Sequence, residues 1–120
     1  MPGPSVQSLA GLRLAVGVGA WVAPGLTGRL FGLDPAGNPQ SLYMARLFGI
    51  RDVALAIGAL TAPADARRRW LQLGLLSDVA DVGAAALAKR DGSVSTPVAL
   101  MLGGVAVGAA ATGAALLAAE

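Results

Sequence analysis

The chain has 120 residues, room for one domain, and 13% of them are charged, about half the share of roughly 25% usual in soluble proteins. It contains no cysteine and no histidine, which excludes disulfides, thiol chemistry, zinc sites built on those ligands and imidazole catalysis. The formal charge of +2 is scattered and aromatics make up only 4%, so nucleic acid is not expected as a partner, and no cofactor or metal is implied.

Four apolar segments follow one another at 7–23, 42–61, 70–89 and 97–118. As helices they measure about 25–33 Å, close to the ~30 Å hydrocarbon slab. Residues 1–120 are therefore expected to form a single integral membrane domain: an all-α, four-helix transmembrane bundle, multi-pass in the cytoplasmic membrane with the lipid bilayer as its surroundings. A soluble bundle would need a polar face on each helix, and 97–118 has only Thr112 to offer.

The first segment follows residues 1–8, which carry no basic side chain, and Arg13 interrupts its apolar run, so it reads as a retained span. Pro24-Gly25 closes it. The long connection 24–41 contains Leu26, Leu30, Phe31 and Leu33, which suit a short amphipathic segment lying in the membrane interface or, alternatively, a ligand lid. The second connection, 62–69, is expected to hold the Arg67-Arg68-Arg69 run facing headgroups. Asp91-Gly92 marks a turn, and Thr96 and Pro97 are expected to cap and open the fourth helix. Arg67, Arg68 and Arg69 on one side balance Arg29, Lys89 and Arg90 on the other, so the insertion direction stays open.

Each segment has a seam of small residues that suits close helix packing: Arg13, Gly17, Ala20 and Pro24 in the first, Ala45, Gly49, Asp52, Ala56 and Ala59 in the second. The third groups Gly74, Ser77, Asp78, Asp81 and Ala85, and the fourth Gly104, Gly108, Ala111 and Ala115. These Gly/Ala faces also suggest a homo-oligomer or a partner membrane subunit. Arg46 stands among Leu42, Ile50 and Ile57 near a span end, where it can snorkel. Arg13 can turn outward or inward.

Arg51 and Asp52 have no such escape. Arg51 lies about 14 Å into its span, Asp78 about 12 Å and Asp81 about 17 Å into the antiparallel next one. Charges at that depth cost roughly 2.5–3.5 kcal/mol each when unpaired, so they are expected to meet one another, water or a ligand. One arginine faces three carboxyls, and this surplus of acid is expected to keep a proton. Asp78, Asp81, Arg51 and Asp52 are the candidate catalytic residues, and Arg13, Tyr43 and Ser77 the candidate binding residues.

The function expected is binding of a lipophilic small molecule in an intramembrane polar site. The acid–base chemistry such a site offers is isomerisation, cyclisation or epoxide opening, with Asp78 or Asp81 as proton donor, the other as base and Arg51 as charge stabiliser. Two alternatives stand beside it. One is an accessory membrane subunit whose ion pairs only fix helix register; the other is a small proton-coupled transporter acting as an antiparallel dimer.

Leu12-Arg13, Ala23-Pro24, Phe31-Gly32-Leu33, Arg46-x-x-Gly49-x-Arg51-Asp52 and Asp78-x-x-Asp81 together resemble domain of unknown function 4267, a family of small integral membrane proteins. The resemblance covers nearly the whole chain. It implies a four-span membrane fold and no established activity, and it supplies no catalytic residues.

Overall fold

The computed structural model describes residues 3–120. Among them are five α-helices and no strands: α1 Val6–Val22, α2 Pro24–Leu30, α3 Ser41–Thr61, α4 Ala64–Asp91 and α5 Thr96–Ala118.

Local chemistry sets the helix ends. Ser5 and Ser8 form a reciprocal capping box at the start of α1, each backbone N–H donating to the other's hydroxyl at 3.0 Å. Pro24, which has no N–H to continue α1, instead opens α2. Gly92, at φ +76°, terminates α4 in the left-handed conformation, and the Ser93 N–H donates back to the Ala88 carbonyl at 2.9 Å.

Two expected boundaries move. The third apolar segment is embedded in a helix that begins at Ala64, so Arg67–Arg69 sit on its first turns and the connection shrinks to Ala62 and Pro63. Pro63 as N-cap and Asp65 in the first turn favour a start there, whereas hydropathy registers only the later apolar part. The cap of α5 is Ser95 rather than Thr96, its hydroxyl accepting from Val98 N–H.

Two helices, α4 with 28 residues and α5 with 23, are long and apolar enough to cross a membrane. Helix α1 is apolar but has 17 residues, and the 21-residue α3 includes Arg46, Arg51 and Asp52.

Helix α1 packs mainly on α3, and α4 mainly on α5. The α3–α4 contact is slighter, and α1 touches α5 only lightly. Successive contacts run in opposite senses along each pair, Gly103 on Ala85 and Gly113 on Leu75, so the neighbours are antiparallel. The α1–α3 approach passes through Gly17 and Gly49. A Cβ on Gly17 would lie 2.6 Å from the Gly49 carbonyl oxygen, and one on Gly49 would lie 2.5 Å from that of Gly17. Only glycine allows that backbone contact.

The distribution of side chains is inverted relative to a protein in water. Alanines dominate the buried positions together with Arg13, Asp52 and Asp78, and among the described residues no large side chain is fully buried. Val22, Leu30, Leu76 and Leu100 are instead among many large aliphatics on the outside. The seams of α1 and α3 face inward, but Gly104, Gly108, Ala111 and Ala115 of α5 are exposed, and α5 buries Ala106 and Gly113.

Candidate functional site

At mid-height the two helix pairs are joined by charge. Arg13 of α1 reaches across to Asp78 of α4, Nη1 donating to Oδ1 at 3.1 Å and Nη2 to Oδ2 at 2.6 Å. Arg51 of α3 makes the same forked contact with Asp81, one turn along α4, at 2.9 and 2.8 Å. Asp52 stands between them: its Oδ1 accepts from Arg51 Nη2 at 3.2 Å and lies 4.0 Å from Arg13 Nη1. The five groups form an alternating chain, Asp81–Arg51–Asp52–Arg13–Asp78.

Arg13 thus belongs to the cluster, which makes the balance two arginines against three carboxyls rather than one against three. The surplus of acid falls from two charges to one. Its place also differs from expectation. Asp78 and Asp81 give both oxygens to arginine, whereas no hydrogen bond among the described residues reaches Asp52 Oδ2.

The cluster is graded in burial. Side-chain exposure is 8% and 4% for Arg13 and Asp78, but 34% and 29% for Arg51 and Asp81. Arg51 is steadied by Phe48, whose ring centroid lies 4.7 Å from its Cζ, one turn back along α3.

Above the charged layer, toward α2, the two helix pairs diverge around a cleft of about 830 Å³. Arg13, Asp52, Asp78 and Asp81 form its charged end. Its walls are mostly apolar, with Val16 from α1, Phe48 from α3, Ala85 from α4 and Val105 from α5. Phe31 and Leu33, just past α2, also line it, so both phenylalanines of the chain do. Its size falls in the range of small-molecule sites, roughly 300–1,000 Å³.

Tyr43 and Ser77 stand apart from the cleft. Tyr43 is largely exposed. The Ser77 hydroxyl donates to the Leu73 carbonyl of its own helix at 3.1 Å, a local bond that leaves it outside the network. Arg46 is exposed, and its Nε donates to the Trp21 carbonyl at 3.0 Å, capping an open end of α1.

Gly74 was not among the candidates and lies directly under the Arg13 guanidinium. A Cβ there would lie 2.9 Å from Arg13 Nη2, in the path of the guanidinium to Asp78. Its signal in the sequence is a small residue four positions before a buried acid, on the same helix face. Phe48 carries a similar signal, three residues before Arg51. Among the described residues no grouping of acidic side chains is placed to hold a metal ion.

Comparison of the chain with protein-family models, with curated proteins and with solved structures gives no match.

Proposed function

We propose that this chain is a four-span membrane protein whose cleft binds a lipophilic small molecule, with the molecule's polar end at the charged layer. The observation that carries the reading is the cleft itself: about 830 Å³ of mostly apolar space ending on Arg13, Asp52, Asp78 and Asp81. A site of that composition matches a molecule with one polar group on an apolar body.

The inverted surface supports the membrane setting. Large aliphatics outside and small or paired polar residues inside are stable in lipid, where small residues allow close packing and buried charges need partners. In this setting α1, α3, α4 and α5 are the spans, α2 lies at the interface and the exposed Gly104–Gly108 face of α5 meets another span. Membership of domain of unknown function 4267 is part of the same proposal, as is residence in the cytoplasmic membrane.

If the bound molecule is converted by acid–base chemistry, Asp52 is the group placed to move the proton. Asp78 and Asp81 are held by forked arginine contacts, which makes them positioning residues in this scheme. A second reading draws on those same contacts: two forked pairs joining α4 to α1 and α3 also serve as a register lock with no ligand.

The test is mass spectrometry of small molecules that copurify with the protein from membranes. The proposal expects a lipophile bound to the wild type and lost from Ala84→Trp, which fills the cleft. Equal recovery from both proteins, or none from either, would favour the lock.

A further inference from the structure

The charge balance of the cluster names the kind of polar group the cleft accepts. We infer that the cleft takes a lipophilic monocation, such as a protonated alkylamine, with Asp52 as its counter-ion; this rests on the cleft-binding reading above.

The terminal nitrogens of both arginines are already engaged, and Arg51 Nε is a buried donor left without a partner among the described residues. Both terminal nitrogens of Arg13 go to Asp78, and those of Arg51 go to Asp81 and Asp52. An anionic ligand would meet a site that already has one acid too many. A carboxylate or phosphate head is therefore disfavoured on charge.

The acceptor side is open. Asp52 is 5% exposed, lines the cleft and has an oxygen with no hydrogen bond from the described residues. With two arginines and three aspartates ionised, the cluster carries one net negative charge in a region of low dielectric. One ligand cation at Asp52 Oδ2 brings that count to zero and supplies the missing donor. A neutral alcohol supplies the donor without the charge, so it should rank second.

The walls fit the remainder of such a molecule. From Asp52 to the start of α3 at Ser41 the helix rises about 16 Å, and Phe48, Ala45 and Met44 present apolar surface to the cleft over that length. Phe31 adds further apolar lining for the tail.

The experiment measures binding of radiolabelled dodecylamine to the purified protein in nonionic detergent at neutral pH, where the amine is protonated. Dodecanol and dodecanoate serve as competitors, and empty micelles correct for partitioning. The expected order is dodecylamine about tenfold or more ahead of dodecanol, with dodecanoate not competing. Asp52→Asn should lower amine affinity by about tenfold while leaving dodecanol nearly unchanged. The ranking in the wild type needs no variant, so a poorly folding Asp52→Asn does not protect the inference. Equal binding of amine and alcohol, or full amine affinity in folded Asp52→Asn, would overturn the cation assignment and leave the cleft reading standing. Failure of all three probes to bind, with Ala84→Trp indistinguishable from wild type, would overturn both.

Discussion

Arg13 and Asp78 meet across the bundle through two parallel hydrogen bonds of 3.1 and 2.6 Å, with the guanidinium passing over the bare backbone of Gly74. This contact ties the α1–α3 pair to the α4–α5 pair, and it is the most buried ion pair in the cluster.

Removing one partner of that pair strands a buried charge. Asp78→Leu or Arg13→Met alone should lower stability by about 3–5 kcal/mol, while the two together should recover most of it. Thermal unfolding in detergent measures both. A double variant no better than either single one would mean that the charges do not act as a pair.

Arg51 and Asp81 are less buried than Arg13 and Asp78, and the loss should be smaller. Asp81→Asn is expected to cost about 1–3 kcal/mol, less than Asp78→Leu, because the pair is only part-buried. Arg51→Lys should cost about as much, because an ammonium cannot reproduce the fork to Asp81 or lie flat on Phe48. Unfolding curves that rank Asp81→Asn at or above Asp78→Leu would reverse the burial argument.

Glycines test the packing. Gly49→Ala places a methyl against the Gly17 carbonyl and should cost about 1–3 kcal/mol as α1 and α3 separate. Gly108→Ala enters open space on α5 and should be neutral or stabilising by about 0.5–1 kcal/mol in the monomer. If the exposed α5 face meets another span in an oligomer, Gly108→Ala weakens that association instead, which crosslinking at low and high protein density would register.

The antiparallel arrangement fixes relative topology if all four long helices cross the membrane. Reporters inserted at Ala62-Pro63 should lie on the same side as both termini, and reporters at residues 36–38 or 93–94 on the other. Reporters at 62–63 and at the C-terminus found on opposite sides would remove one span from the account.

Much of this architecture could be read from hydropathy and helical spacing, because burial and exposure repeat every turn. The inward seams at Gly17 and Gly49, and the meeting of Arg51 with Asp81, follow from that repeat. Arg13 did not, because a long side chain on a small-residue seam can turn either way, and the decision rests on Gly74 in another helix. The start of α4 was misplaced because helix formation continues past the end of an apolar run when capping and charge favour it. The cleft was invisible for a different reason. It arises where two helix pairs diverge, and no single segment records its neighbour's distance. Asp52 gained prominence in the same way, since only geometry tells which carboxyl is left with an unused oxygen.

The most direct measurement is the site of photolabelling by an alkylamine carrying a diazirine on its chain, mapped by mass spectrometry of peptides from the purified protein. The account predicts label on cleft residues such as Phe48, Ala85 and Val105, suppressed by excess dodecylamine. Label spread over the outward aliphatics Val18, Leu76 and Val79, undiminished by competitor, would contradict it.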